Sequence, residues 1–160
     1  MAKLLGRTAA PIRDRVIGAL GTLSPAWEAW FARLPDTLAS IPGILKSVAL
    51  DDQAATIAAT DLTGGLLSKG SYRVTYHARI SRAATSSSSL TVTIAWTEGG
   101  VAQSIAGAAM TGNTTTTRQN SVFMIRSDAA TDVTYATTYA STGATTMQYS
   151  LDLSFEQIKT

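Results

Sequence analysis

Few residues in this chain belong to the types that carry out chemistry. The sequence has one histidine, His77, and no cysteine, which excludes disulfides, thiolate metal sites and a cysteine nucleophile. His77 falls on the polar side of an alternating stretch from Arg73 to Arg79. A catalytic triad would need this histidine to be partnered in a cleft, whereas the alternation predicts a histidine on a strand surface or at an interface. We therefore predict no catalytic residue and a protein that is not an enzyme.

The carboxylates are sparse and do not form a motif. Asp51, Asp52 and Asp61 form one loose group, and Asp128 and Asp132 form another. Either group could offer oxygen ligands to a hard cation, but neither has the spacing of a calcium-binding loop. Asp128 and Asp132 are better interpreted as turn residues, because aspartate side chains imitate backbone hydrogen bonds. The sequence also lacks a phosphate-binding or dinucleotide-binding glycine motif, so we predict no metal site and no cofactor.

Two loops rich in hydroxyl side chains are the remaining candidates for contact with a ligand. They are Thr85–Ser89 and Thr111–Thr117. The second contains Asn113-Thr114-Thr115, which fits the N-glycosylation pattern. Such loops are often ordinary exposed connections, but they could also be tips that touch a glycan or another surface ligand. No aromatic stacking platform accompanies them.

The elements that carry these residues alternate with period two from about residue 51 onward. Apolar side chains recur at every second position in four clear stretches, around residues 72–80, 90–96, 133–139 and 147–155. Weaker candidates are 54–60 and 101–108, and glycine or serine clusters separate the stretches. Short strands at regular spacing predict a sandwich or barrel. The predicted fold is a jelly-roll-like antiparallel β-sandwich over residues 51–160.

One predicted strand is apolar on both faces. Its central residues are Val122, Phe123, Met124 and Ile125, whereas a sandwich strand normally turns one face to water. Only 15% of the residues are charged, well below the ~25% of typical soluble domains. Either the N-terminal helices or a neighbouring subunit could cover the outer face of this strand. We favour a neighbouring subunit, so we expect these four residues to form an oligomer interface and predict a homo-oligomer, with a trimer as the expected state.

Residues 1–50 have a different, helical pattern. Ser24-Pro25 is a good helix start, and Pro35 is expected to end this helix, with a second short helix from Asp36. Four large apolar residues recur at the spacing i, i+3, i+4, i+7 and would share one face of this helix: Trp27, Trp30, Phe31 and Leu34. This face could fold back on the sandwich or dock on another subunit or a larger assembly. We favour docking, because about fifty residues cannot build much core of their own.

The overall charge and hydropathy exclude two classes of partner. The net charge is +2, too small for a nucleic-acid argument from electrostatics. No apolar run approaches the ~20 residues that cross a bilayer. We therefore predict no nucleic-acid partner and no membrane span.

Two resemblances bear on function. The stretch from Lys69 to His77 resembles the early strand of C1q/TNF-like jelly rolls, which implies a compact trimer. The stretches 83–94, 110–117 and 133–141, with their threonine and serine repeats, are similar to small virion proteins of tailed bacteriophages. That resemblance implies a virion location, and a head fibre, capsid decoration or tail-associated component in contact with capsid, portal or tail proteins. The alternative is an adhesin module that binds a host receptor or a glycan.

Overall fold

A computed structural model describes residues 16–17, 22–39, 43–64 and 67–158, with the backbone alone for residues 34–39. The chain divides into an N-terminal unit over residues 1–41 and a second unit over residues 42–159.

The N-terminal unit contains one helix, α1, at Pro25–Ala39. The carbonyl of Ser24 accepts the N–H groups of Trp27 and Glu28 at 2.9 and 3.0 Å, and Pro25 suits the first turn because its missing N–H would be unpaired there. The expectation that Pro35 ends the helix is wrong, because α1 continues to Ala39. A proline inside a helix loses one backbone hydrogen bond and bends the axis without forcing the chain out of helical geometry.

The second unit is built from strands in two sheets. The described strands are β1 Gly43–Gln53, β2 Thr60–Asp61, β3 Gly70–Arg82, β4 Ser87–Glu98, β5 Val101–Ala106, β6 Arg118–Ser127, β7 Thr134–Thr142 and β8 Gln148–Ile158.

The strand order is that of a jelly roll. One sheet has the order β1-β8-β3-β6 and the other β2-β7-β4-β5, and every described pairing is antiparallel. Successive strands mostly alternate between the sheets, as expected from two nested Greek keys. The predicted class, an antiparallel β-sandwich preceded by a short helix, is confirmed.

The sandwich begins earlier than the sequence suggested. Strand β1 starts at Gly43 and pairs with the last strand, so residues 43–50 belong to the sheet and not to a helical arm. Val48 and Leu50 are half-buried and pack against the core. Their alternation was the available signal, but the prolines before it favoured a helical interpretation.

The core lies between the sheets and follows the alternation. On β3, Tyr72, Val74 and Tyr76 are buried while their neighbours face outward. The ring of Tyr72 stacks on Phe155 of β8 with centroids 5.1 Å apart.

One of the two weak strand predictions, residues 54–60, is mostly a loop in the structure. Residues 54–59 run beside β7 without forming a ladder, and β2 is only Thr60–Asp61. The N–H of Ile57 donates to the Thr137 hydroxyl at 2.9 Å, and the Thr137 N–H donates back to the Ile57 carbonyl at 3.0 Å. The threonine side chain therefore replaces a ladder bond. The other weak candidate is confirmed as β5.

Candidate functional site

The outer face of edge strand β6 has an apolar centre. Val122 and Met124 are 56% and 65% exposed, whereas Phe123 and Ile125 point inward and belong to the core. Within the described residues, the chain itself covers only the inner face of this strand. The surface that it offers a partner consists of Val122 and Met124, and Phe123 and Ile125 cannot contribute directly to an oligomer interface.

Charged side chains on the same outer face pair across strands. Arg73 of β3 lies opposite Glu156 of β8, and its guanidinium forms an ion pair with that carboxylate. His77 lies opposite Asp152, with Nδ1 3.6 Å from Oδ2. His77 lies on an open sheet face rather than in a cleft.

Two arginines on this face lie directly opposite each other on neighbouring strands. Arg79 of β3 lies opposite Arg118 of β6 on one side and Ser150 of β8 on the other. Within the described residues neither guanidinium makes an ion pair or a side-chain hydrogen bond. This end of β6 therefore carries unneutralised positive charge.

The opposite edge strand of the sheet, β1, carries exposed apolar and acidic side chains. Ile44 and Leu45 are 66% and 51% exposed at its start. Asp51 and Asp52 are exposed near its end, where a bulge places both of them opposite Ser150. Strand β1 thus combines an apolar end with an acidic end.

The aromatic face predicted for α1 is present as a cluster. Trp27 and Trp30 have ring centroids 5.5 Å apart, and Phe31 lies 5.9 and 5.0 Å from them. Both tryptophans are half-buried and Phe31 is 43% exposed. The side chain of Leu34, the fourth predicted docking residue, lies outside the described side chains.

The two hydroxyl-rich loops lie at one end of the sandwich and are joined by Asn113. Its Oδ1 accepts the Ala84 N–H at 2.8 Å and the Ser88 hydroxyl at 3.0 Å. Its Nδ2 donates to the carbonyls of Ala84 and Ser86 at 2.8 and 3.4 Å. The side chain that fits a glycosylation pattern is thus engaged in internal hydrogen bonds. Sequence reasoning missed this role, and an asparagine within a threonine run was the only signal for it.

The β7–β8 connection joins the same end. The N–H of Thr85 donates to the Thr145 carbonyl at 3.1 Å, and the Thr145 N–H donates back to the Thr85 hydroxyl at 2.9 Å. The hydroxyls of Ser87 and Thr142 lie 2.7 Å apart. Three loops are therefore held together as one surface, here called the hydroxyl end: residues 82–88, 107–117 and 142–147.

Asp128 organises the other end of the sandwich. Its Oδ2 accepts the Gly100 N–H at 2.8 Å, and its Oδ1 lies 3.9 Å from the ammonium of Lys69. The Gly100 N–H, followed by that of Gly99 and the nearby cationic charges, lowers the pKa of Asp128 below its ordinary value. A cavity of about 250 Å³ opens beside it, lined by Lys69, Glu98, Gly99, Arg126 and Asp128. These side chains bring two positive and two negative charges, so the cavity offers a ligand no net charge.

Asp61 acts within its own turn. Its Oδ1 accepts the N–H and the hydroxyl of Thr63, and its Oδ2 accepts the Gly64 N–H, each at 2.7 Å. The Thr63 hydroxyl contributes most to lowering the pKa of Asp61.

In the described part of the chain no three acidic or histidine side chains converge on a point where a metal ion could bind. Nor does any helix among the described residues have the length and apolar character to cross a membrane.

Comparison with known proteins leaves the family of this chain open. No protein-family model matches it, and no curated protein matches it in sequence. Among solved structures it is similar to PRD1 vertex protein P5 at 14% sequence identity and a TM-score of 0.42. That match covers 73% of this chain and 99% of the other.

Proposed function

We propose that this protein is a structural component of a virus particle, in the role of a head fibre, a capsid decoration or a tail-associated component. Its sandwich associates with further copies, and its helical arm docks on another particle protein. The observation that carries the proposal is the exposed pair Val122 and Met124 on an edge strand. Edge strands are usually protected from pairing by charge, proline or cover, so an apolar centre there favours a partner.

The fold is compatible with this role but does not fix it. Jelly rolls occur in viral coat proteins, in lectins and in cupins, and function belongs to sites on a fold rather than to the fold itself. Support for the virion role therefore comes from the surfaces, together with the threonine- and serine-rich texture that the sequence shares with phage virion proteins. The low charged fraction of 15% suits a surface that is covered in an assembly.

The arm supplies the docking element. Trp27, Trp30 and Phe31 form one aromatic cluster on α1. Burying a large apolar side chain contributes about 1.5–3 kcal/mol, so a few such residues could hold the arm without specific chemistry. Copies repeated in a symmetric assembly would add avidity.

The test replaces both tryptophans of the arm, Trp27→Ala with Trp30→Ala. We expect the sandwich to stay folded, by circular dichroism, while the amount of protein in purified particles falls about tenfold or more, because two large apolar contacts are lost. The matched control is Glu28→Ala, an exposed residue of the same helix. Undiminished incorporation of the folded double variant would overturn docking through the arm.

A second candidate is an adhesin that binds a host receptor or a glycan. It is favoured by one observation, the gathering of three loops at the hydroxyl end. Variants Thr114→Ala and Thr116→Ala change exposed hydroxyls there. An adhesin would lose adsorption to cells with these variants, whereas a structural component would keep both adsorption and incorporation.

A further inference from the structure

The two edges of the β1-β8-β3-β6 sheet complement each other in charge and in apolar character at the same height, where height is the position along the strand axes. We infer that copies of this protein associate head to tail, with β6 of one copy beside β1 of the next. This inference rests on the proposed function, because it names the surfaces through which the sandwich associates.

The cross-strand register defines these heights. One row of the outer face runs from Met124 on β6 through Arg73 and Glu156 to Ile44 on β1. In an antiparallel sheet, residues directly opposite each other point to the same face. The most exposed apolar residues of the two edges, Met124 and Ile44, therefore lie at the same height.

A second row runs near the hydroxyl end. It starts at Arg118 on β6, continues through Arg79 and Ser150, and ends at the bulge that holds Asp51 and Asp52 on β1. The cationic end of one edge is thus level with the acidic end of the other. The rows between them carry small or polar groups on β1, Ser47 and Ala49, with no like charge facing β6.

The strand directions permit a continued sheet. Strands alternate in direction across the order β1-β8-β3-β6, so β6 and β1 point in opposite directions. A second copy placed beside β6 with its own β1, and oriented the same way up, continues the antiparallel order. Its Asp51 then lies beside Arg118 of the first copy, and its Ile44 lies beside Met124.

Pairing of β6 with β6 of a second copy is less favourable. A two-fold arrangement centred on Val122 would place Arg118 opposite Arg126, and like charges directly opposite destabilise strand pairs. A head-to-tail contact uses two different surfaces and closes into a ring when the rotation between copies allows it. The trimer predicted from the sequence would be one such ring.

The test exchanges the charges at the two edges. Arg118→Glu alone or Asp51→Lys alone places like charges together, and each should raise the dissociation constant of the oligomer about tenfold or more, measured by light scattering. The two changes in one chain should restore the wild-type association. A control, Asp132→Lys, changes an exposed acid outside both edges.

Mixing the two single variants tests the head-to-tail arrangement directly. The β6 edge of the Arg118→Glu variant is complementary in charge to the β1 edge of the Asp51→Lys variant, and the two unaltered edges are complementary to each other. The mixture should therefore form complexes in which the variants alternate and the number of chains is even.

Met124→Ser should also weaken association, whereas Val101→Ser, which removes an apolar residue of comparable exposure from edge strand β5, should not.

The outcomes separate this inference from the proposed function. If the wild type is an oligomer that all these variants leave intact, the head-to-tail contact is wrong and association through another surface stands. If Arg118→Glu disrupts the oligomer while Asp51→Lys has no effect, the contact does not involve β1 and the inference fails. If the wild type is a monomer at every concentration, both the inference and the self-association in the proposed function fail.

Discussion

At the scale of single residues, Gly107 shows how little space the core leaves. A methyl group at this position would overlap the hydroxyl of Tyr76. That tyrosine is buried, and its hydroxyl donates to Gln119 Oε1 at 3.1 Å. The absence of a side chain at position 107 is therefore a packing requirement between the β5–β6 connection and β3.

We expect Gly107→Ala to lower the free energy of unfolding by about 1–3 kcal/mol, the usual range for overpacking a core. Denaturant unfolding would measure this change. Gly43→Ala is the control, because a methyl group there meets nothing within 4 Å. Adding Tyr76→Phe to Gly107→Ala should recover part of the loss, and equal stability of the two alanine variants would contradict the packing argument.

At the scale of elements, the loops of the hydroxyl end are joined by side-chain hydrogen bonds where no ladder exists. Asn113 contributes most, because its amide binds Ala84 and Ser86 in the β3–β4 connection and Ser88 at the start of β4. A loop tied in this way loses less order on contact with a partner than a free one.

Asn113→Ala should lower the free energy of unfolding by about 1–3 kcal/mol, because the backbone N–H and carbonyl of buried Ala84 lose their hydrogen bonds to the Asn113 side chain. Hydrogen exchange should speed up at the Ala84 amide before it does in the strands. Asn120→Ala, on the exposed outer face of β6, is the matched control and should change neither property. Unchanged exchange at Ala84 would show that the loops are held by other contacts.

Sequence reasoning predicted the sandwich because alternation marks buried faces directly. It placed the alternate apolar residues of 72–80, Tyr72 and Val74 among them, on the core side, as the structure has them. It could not decide which face of Val122–Ile125 was outward. Residues on both faces of this strand are apolar, so the alternation of apolar and polar side chains that identifies a buried face is missing. It also missed β1 as an edge, since strand order is a property of long-range pairing.

At the scale of the whole molecule, the end opposite the hydroxyl end is held by two carboxylates. Asp61 accepts the Thr63 hydroxyl and backbone N–H groups at one turn, and Asp128 accepts the Gly100 N–H at another; these hydrogen bonds lower the pKa of both. A carboxyl whose folded pKa is lowered stabilises the fold above its ordinary value of 3.8, and that contribution is lost as pH falls through the folded pKa.

We expect the variant Asp61→Asn with Asp128→Asn to be less stable than the wild type at pH 7, with a difference that shrinks as pH falls below 3.8. Thermal unfolding across that range would measure it. The control is Asp132→Asn, which removes an exposed carboxylate. A difference that stayed constant with pH would mean that the two carboxylates act through packing rather than through charge.

The position of β8 sets an order of events during synthesis. It is the last described strand in the chain, yet it lies between β1 and β3, which are made early. Until residues 148–158 leave the ribosome, β1 lacks its described partner and β3 can pair on one side only. Such long-range pairing folds slowly and leaves edges open to aggregation. Loss of this one strand would therefore separate β1 from the β3–β6 pair rather than remove an edge of the sheet.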